Sequence, residues 1–376
     1  MADIDPSFNN ALPLPEQTAL VLQGGGALGS YQGGVFEALA EAGIMPDWIA
    51  GISIGAINAA IIAGNPPGHR ALRLRHFWEE MTSAVPNFPV WPSDYIREAM
   101  HEWSAGFVAA FGVPGFFTPR AVPPFMALPD SEGAMSFYDS APLRDTLDAH
   151  VDWDLVNGGD VRLSVGAVNV ESGNFRYFDS ANERLDARHI MASGALPPGL
   201  PPIEIDGGLW WDGGLVSNTP LQHIVAERTG DMLVFQVDLF SASDVRPSTI
   251  TDVFAREKEI RYSSRTRQIT DQFLARSETA GTIRAALRKL PAELCDDPDI
   301  AALKALAEEP ALNIVHLIHK ANAWEGGSRD YEFSRRTMDE HWQAGREAVA
   351  ETMRHGDVIA RNIADGKSAA FDLNPA

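Results

Sequence analysis

The chain has 376 residues, 45% of them hydrophobic and 22% charged, which is typical of a globular protein with room for one large domain or two ordinary ones. Its formal net charge of −21 disfavours binding to nucleic acid and passive adsorption to anionic membranes, because both are themselves negatively charged. The single cysteine, Cys295, excludes an internal disulfide framework. The first residues lack a basic region followed by an apolar stretch, and no apolar run is long enough to span a bilayer, so we expect a cytoplasmic protein.

Two strand–helix units are predicted at the beginning of the chain. Residues 18–23 (TALVLQ) form an apolar strand, residues 24–29 (GGGALG) a glycine-rich turn, and residues 31–43 have the apolar spacing of a helix. Residues 47–51 predict a second strand and residues 52–64 a second helix. This alternation is typical of a parallel sheet, and we therefore predict an α/β fold.

Residues 83–138 differ from their surroundings because they are rich in proline and aromatic side chains, and we interpret them as an insertion that packs over the core. The insertion either forms a second, smaller hydrophobic core or provides the lid or wall of an apolar substrate channel. Its aromatic residues include Phe88, Trp91, Tyr95, Trp103, Phe107, Phe111, Phe116, Phe117 and Phe125.

The pattern favours strands after residue 160. Residues 161–170 and 174–179 flank a short turn and predict a β-hairpin. The remaining predicted elements are a short helix at 186–194, a strand at 231–240, a helical segment at 252–290, a strand at 313–320 and a long amphipathic helix at 329–363.

The helical segment 252–290 is locally basic. It either docks on anionic headgroups or a partner, or forms a solvated helix face bridged to acidic neighbours. Its basic side chains include Arg256, Lys258, Arg261, Arg265, Arg267 and Arg288.

A Gly-x-Ser-x-Gly motif, GISIG at 51–55, lies where the second strand meets the second helix. A nucleophilic serine in such a turn has its hydroxyl exposed at the tip of the strand. Gly51 and Gly55 are needed because a side chain would clash where strand and helix approach closely. The motif therefore predicts Ser53 as a nucleophile, and the alternative is an ordinary tight turn.

The glycine-rich turn has two interpretations. Its Gly-x-Gly-x-x-Gly pattern, from Gly24 to Gly29, also occurs in dinucleotide-binding oxidoreductases, which need an acidic residue at the end of the second strand. Here Asp47 lies at the start of that strand. Alternatively, the amides of Gly24, Gly25 and Gly26 form an oxyanion hole, since consecutive glycines expose their N–H groups.

Residues 201–220 contain Asp-Gly-Gly twice, beginning at Asp206 and at Asp212. Residues 204–210 read as a strand, an Asp-Gly turn and a returning strand, so Asp206 is predicted as a turn residue. Asp212 lies at the far end of the returning strand.

The motifs together resemble those of patatin-like phospholipases. Residues 24–43 (GGGALGSYQGGVFEALAEAG), 51–60 (GISIGAINAA) and 211–220 (WDGGLVSNTP) resemble the family's three motif blocks, and the resemblance covers residues 18–240. Residues 331–345 (YEFSRRTMDEHWQAG) resemble a C-terminal extension of one bacterial subgroup.

The resemblance implies a three-layer α/β/α core and a serine acyl hydrolase in which Asp212 acts directly on Ser53. Gly213 and Gly214 let the backbone after Asp212 pass close to the serine. A histidine base is the alternative, with His223 or His316 as candidates. We expect no cofactor and no metal ion, because this chemistry needs neither.

These inferences divide the chain into an N-terminal tail (1–17), a catalytic domain (18–240, with the insertion at 83–138) and a mostly helical C-terminal extension (241–376). The expected partners are a lipid or other acyl-ester substrate and, transiently, a membrane surface, but no nucleic acid. The competing hypotheses are a dinucleotide-binding oxidoreductase and a non-catalytic lipid-binding protein.

Overall fold

The computed structural model describes residues 12–86, 93–242, 246–247, 249–291, 297–322 and 324–373. The strands are β1 Gln17–Leu22, β2 Trp48–Gly51, β3 Thr118–Pro119, β4 Tyr138–Asp139, β5 Arg162–Asn169, β6 Phe175–Asp179, β7 Ile203–Ile205, β8 Gly208–Asp212, β9 Met232–Asp238, β10 Leu312–Ile318 and β11 Ala369–Phe371. The α-helices are α1 Gly29–Glu41, α2 Ile54–Ala63, α3 Arg70–Met81, α4 Asp94–Phe111, α5 Ala141–His150, α6 Trp153–Gly158, α7 Ala187–Gly194, α8 Leu221–Glu227, α9 Ile250–Leu287, α10 Pro298–Ala307, α11 Arg335–Arg354 and α12 Gly356–Ala364.

Nine strands form one mixed sheet in the order β11-β10-β9-β1-β2-β5-β8-β7, with β6 also paired to β5. Neighbours from β11 to β5 are parallel, whereas β6, β7 and β8 pair antiparallel. The predicted mostly parallel sheet is therefore confirmed. β1 lies between β2 and β9, so this is the point at which the strand order reverses, and ligands of open α/β sheets bind beside such a point.

Apolar side chains cover both faces of the sheet. Leu20 and Leu22 of β1 belong to a core shared with the helices α1, α2, α3 and α11. Ala19 and Val21 alternate with them and face a second core, to which α8 and α9 contribute Leu221 and Phe273. This arrangement confirms the three-layer α/β/α fold.

The insertion packs on the main core instead of forming a second, smaller one, and its Val108, Phe116 and Phe117 line a cleft. Phe116 and Phe117 are buried against the main core, whereas Tyr95 and Phe125 are 80% and 79% exposed. Phe88 and Trp91 lie outside the described residues. The insertion is thus only partly a hydrophobic core, and several of its aromatic side chains face solvent.

The predicted long helix at 329–363 is wrong in its extent. A short 3-10 turn covers Arg329–Tyr331, and α11 begins only at Arg335, where the Ser334 side chain accepts a hydrogen bond from the Thr337 amide. The helix then breaks at His355, where α12 begins with Gly356. Glycine disfavours a helix interior by about 1 kcal/mol, which explains the break.

The chain after residue 240 is built into the same sheet and core. β10 pairs with β9, and α11 packs along α1. The approach is so close that a Cβ atom on Gly34 would lie 1.8 Å from the carbonyl oxygen of Trp342. One on Gly345 would lie 2.2 Å from the carbonyl oxygen of Tyr31.

Four of the described basic side chains of α9, those of Arg256, Lys258, Arg261 and Arg276, pair with acidic neighbours. Lys258 lies 2.8 Å from Asp330, and Arg256 lies 3.1 Å from Glu259. These contacts favour the interpretation of a bridged helix face for this part of the segment; the side chain of Arg265 lies outside the described residues. Within the described ranges, no helix is both long and apolar enough to cross a membrane.

Candidate active site

Ser53 occupies a strained turn between β2 and α2. Its φ angle of 55° lies in the left-handed region, which residues other than glycine rarely adopt. A Cβ atom on Gly51 would lie 2.3 Å from the Gly55 carbonyl oxygen, and one on Gly55 would lie 2.3 Å from that of Leu22. The turn predicted from the Gly-x-Ser-x-Gly motif is therefore present, and both of its glycines are sterically required.

Asp212 lies at the end of β8, and its carboxylate lies beside the Ser53 hydroxyl in the same cleft. Its Oδ1 also accepts a hydrogen bond of 2.6 Å from the Gly214 amide. Only 2% of the residue is exposed, and this burial raises the pKa of Asp212 to about 6, although the Ser53 hydroxyl and the Gly214 amide act in the opposite direction. The carboxylate is therefore a stronger base than an exposed aspartate.

Glycines allow the backbone around Asp212 to approach the neighbouring strand. A Cβ atom on Gly213 would lie 2.5 Å from the carbonyl oxygen of Gly166 on β5, and one on Gly214 would lie 2.9 Å from Oδ1 of Asn218. Gly213 and Gly214 are thus needed for the approach to β5 and to Asn218, and the approach of this backbone to Ser53 stays a prediction.

The first Asp-Gly-Gly copy forms the hairpin turn between β7 and β8. Asp206 and Gly207 have φ angles of 51° and 79°, the conformation of a tight two-residue hairpin turn. Asp206 is therefore a turn residue, as predicted.

The glycine loop after β1 faces Ser53. The Gly24 amide donates a hydrogen bond of 3.2 Å to the Asn218 carbonyl, and Asn218 Nδ2 donates one of 2.9 Å back to the Gly24 carbonyl. The expectation of a free Gly24 amide is thereby corrected, since this residue joins two loops. Within the described part of the chain, the amides of Gly25 and Gly26 donate no hydrogen bond.

Gly29 has a different role from the three glycines before it. It begins α1, and a Cβ atom there would lie 2.5 Å from Cγ1 of Ile54 on α2. The last glycine of GGGALG thus lets the two helices that follow β1 and β2 approach each other.

Ser53, Asp212 and the glycine loop open into one cleft. The lining side chains are mostly apolar, and Asp212 and Asp330 are the only charged ones among the described lining residues. The apolar and aromatic members are Val108, Phe116, Phe117, Tyr138, Leu196, Leu200, Phe240, Tyr262, Tyr331 and Phe333. A cleft with this apolar lining suits an acyl chain or a similar apolar group.

Neither candidate histidine lines the cleft. His223 hydrogen-bonds Asp179 at 3.0 Å and stacks on Tyr177, with 4.1 Å between the ring centroids. His316 lies 3.2 Å from the Gln236 side chain. The described lining contains no histidine, which disfavours a histidine base.

The dinucleotide hypothesis requires an acidic residue at the end of the second strand, and the described lining of the cleft offers only Asp212 and Asp330. Asp47 precedes β2 and accepts a hydrogen bond of 3.0 Å from the Thr18 amide, at the opposite end of the strands. The ribose-binding carboxylate expected of that hypothesis is thus missing from the described site.

Sequence reasoning missed the wall of the cleft that comes from the C-terminal part. Tyr262 of α9 and Asp330, Tyr331 and Phe333 near α11 line the cleft. A Cβ atom on Gly26 would lie 2.2 Å from the Asp330 carbonyl oxygen, so this segment touches the glycine loop. The only sequence signal was the motif at 331–345, which gives no spatial position by itself.

Comparison with known proteins identifies the family. A model described as patatin-like phospholipase matches residues 20–225, more than half of the chain. The chain belongs to the patatin-like phospholipase family. A second model, described as patatin phospholipase, matches residues 260–365.

Characterised members of the patatin-like family are similar over part of this chain. It is 28% identical over 227 residues to patatin-like phospholipase domain-containing protein 7 of Rattus norvegicus, covering 60% of this chain and 14% of the relative. It is 26% identical over 243 residues to lysophospholipase NTE1 of Saccharomyces cerevisiae, covering 62% and 11%. The chain thus spans a small part of these relatives.

Solved structures give only a weak likeness. VipD from Legionella pneumophila matches with a TM-score of 0.34 and 13% identity, covering 94% of this chain and 78% of VipD. Human GIVD cytosolic phospholipase A2 matches with a TM-score of 0.37 and 13% identity, covering 91% and 60%. Because both TM-scores are below 0.5, these two structures add nothing to the family assignment.

Proposed function

We propose that this chain hydrolyses carboxylic esters of lipids, with Ser53 as nucleophile and Asp212 as general base. The proposal is supported by the position of the Ser53 hydroxyl, in a strained turn beside the buried Asp212 carboxylate and in the same apolar cleft. A low-dielectric site strengthens the carboxylate as a base, so a histidine is not required.

The reaction proceeds through an acyl-enzyme. Ser53 Oγ attacks the ester carbonyl while Asp212 takes its proton, and the amides of Gly25 and Gly26 stabilise the oxyanion, each contributing about 3 kcal/mol. Asp212 then protonates the departing alcohol as the C–O bond breaks. Water, deprotonated by Asp212, attacks the acyl-enzyme and releases the fatty acid, and the proton returns to Ser53.

The substrate class follows from the lining of the cleft and the names of the relatives. Apolar side chains from the insertion, including Val108, Phe116 and Phe117, suit an acyl chain. Yeast NTE1 is named a lysophospholipase, which favours phospholipids and lysophospholipids as the first substrates to test.

A fluorophosphonate probe tests the nucleophile, because it reacts covalently with an activated serine. We expect labelling of the wild type and none of Ser53→Ala. Labelling that persists in Ser53→Ala would exclude Ser53 as the nucleophile. A dinucleotide-binding oxidoreductase or a non-catalytic lipid-binding protein would give no labelling at all.

The duplicated Asp-Gly-Gly provides a matched control for the base. We expect Asp212→Asn to lower the hydrolysis rate of a p-nitrophenyl ester by about 10⁴-fold, as removal of a catalytic aspartate does elsewhere. Asp206→Asn, His223→Gln and His316→Gln should retain most of the activity. Loss of activity in either histidine variant with its fold intact would favour a triad instead.

We also propose that the insertion touches the lipid surface. Phe125, Met126 and Leu128 are 79%, 73% and 80% exposed, and Phe137 of the same insertion donates its amide to the carbonyl of Pro198, which lines the cleft. Exposed apolar residues beside a lipid cleft mark an interaction surface. Replacing Phe125, Met126 and Leu128 by serine should weaken vesicle binding while leaving the hydrolysis of a water-soluble ester unchanged.

A further inference from the structure

Two histidines and a glutamate form a buried cluster outside the cleft. His319 follows β10, Glu325 lies in the next loop, and His341 lies on α11. One ring nitrogen of each histidine and one carboxylate oxygen all lie within 4.8 Å of one another, and all three residues are buried. Imidazole and carboxylate groups are preferred ligands of Zn²⁺ in proteins.

The separations suit a single ion. Oε2 of Glu325 lies 3.2 Å from His341 Nε2 and 3.9 Å from His319 Nε2. Ligand atoms of a tetrahedral zinc site, with bonds of about 2.0 Å, are about 3.3 Å apart. Small rotations of the two rings would bring the three atoms to that spacing.

The glutamate is oriented by a second residue. Oε1 of Glu325 accepts hydrogen bonds from the Asn322 amide at 3.1 Å and from Asn322 Nδ2 at 2.8 Å. This leaves Oε2 directed towards the histidines. Outer hydrogen bonds that fix a ligating carboxylate are a regular feature of metal sites.

The carboxylate of Glu325 also has no permanently charged side chain as its partner among the described residues. In the part of the chain that the structure describes, Glu325 contacts Asn322 and histidines but no lysine or arginine. A second buried carboxylate, Glu332, lies 3.9 Å from His101, whose ring nitrogens have no hydrogen-bond partner among the described residues. Buried carboxylates are costly unless a positive charge compensates them.

We propose that His319, Glu325 and His341 bind one zinc ion, with a structural role. The ion would join the end of β10 to α11 and fix the loop between them. That loop carries Asp330, which touches Gly26, and Tyr331, which lines the cleft. Zinc would therefore hold the C-terminal wall of the cleft in place.

Zinc binding is measured directly, so the test does not depend on esterase activity. The full chain is treated with a chelator, dialysed and titrated with Zn²⁺, with the metal content determined by elemental analysis. We expect one zinc per chain and a higher Tm with Zn²⁺. Co²⁺ in place of Zn²⁺ should give visible absorption bands from its nitrogen and oxygen ligands.

Three variants and a control locate the site. His319→Gln and His341→Gln should lose the bound zinc, and Asn322→Ala should weaken its affinity by about 10–100-fold. His355→Gln is the control, because this histidine also lies beside a glutamate, at 3.6 Å from Glu351, but its side chain is 54% exposed. It should bind zinc like the wild type.

Two results would overturn the proposal. One is that the wild-type chain takes up no zinc and shows no change in Tm with Zn²⁺. The cluster would then be a buried ion pair between histidine and glutamate. The other is zinc binding that is unchanged in His319→Gln. If a variant fails to fold, X-ray absorption of the zinc-loaded wild type still decides, since it should report two imidazole ligands and oxygen.

Discussion

The burial that makes Asp212 a better base also makes it a source of instability. A carboxylate whose pKa rises from 3.8 to about 6 on folding is less favourable in its charged form in the native state than in the unfolded chain. The change corresponds to about 3 kcal/mol at a pH where the group is ionised in both states. Catalytic sites commonly carry such a cost.

Asp212→Asn should therefore be inactive but more stable than the wild type above pH 6. Below pH 3.8 the Asp212 carboxyl is protonated in both the folded and the unfolded chain, and its full contribution to the free energy of unfolding is present. That contribution is lost as the pH rises to about 6, because the unfolded chain releases the proton at a lower pH than the folded chain does. Denaturant unfolding at pH 4 and pH 8 measures the difference. If Asp212→Asn were more stable than the wild type by the same free energy of unfolding at both pH values, this explanation would be wrong.

The pH dependence of catalysis should follow the same group. Only the ionised carboxylate can accept the Ser53 proton, so we expect kcat/KM for a neutral ester to rise with pH and level off above an apparent pKa of about 6. A profile that is flat between pH 4.5 and pH 7.5, where the fold is intact, would argue against Asp212 as the base.

At the scale of elements, the contact between α1 and α11 depends on glycines. Gly34→Ala would place a Cβ atom against the Trp342 carbonyl, and such overpacking typically costs about 1–3 kcal/mol. Gly281 on α9 has nothing within 4 Å of its Cβ position, so Gly281→Ala should instead stabilise the protein by up to about 1 kcal/mol. Thermal unfolding of the two variants should move the Tm in opposite directions.

The local elements of the site could be predicted because their physical causes are local. The turn at Ser53 is encoded by Gly51 and Gly55, and the hairpin at Asp206 by an Asp-Gly pair between two short strands. The break at His355 was missed because the amphipathic spacing continues across it. Helical periodicity reports which face is buried but not where the backbone hydrogen bonds stop.

Long-range contacts could not be predicted from the sequence in this way. Nothing in the residues near Asp330 indicates that its carbonyl touches Gly26, and the Asn218 amide that engages Gly24 lies 194 residues away along the chain. The cluster of His319, Glu325 and His341 has no recognisable metal-binding spacing either. The contact of Asp330 and the cluster of His319, Glu325 and His341 depend on where β10 enters the sheet, which local propensity does not determine.

At the scale of the whole molecule, the charge of −21 limits which lipid surface can be approached. The exposed apolar part of the insertion includes Asp130 and Glu132, so repulsion from anionic lipids also acts locally. We expect stronger binding to phosphatidylcholine vesicles than to vesicles containing phosphatidylglycerol. The difference should shrink as salt screens the charges, and flotation assays at two ionic strengths measure it.

The wall of the cleft has a further consequence for incomplete chains. Ser53 and Asp212 are both synthesised well before Asp330, Tyr331 and Phe333, since a chain grows from its N-terminus. A product ending before residue 329 would contain the nucleophile and the base, but it would lack Asp330, Tyr331 and Phe333, so the cleft would be open on that side. The cleft therefore gains its C-terminal wall only after residues 330–333 have been synthesised.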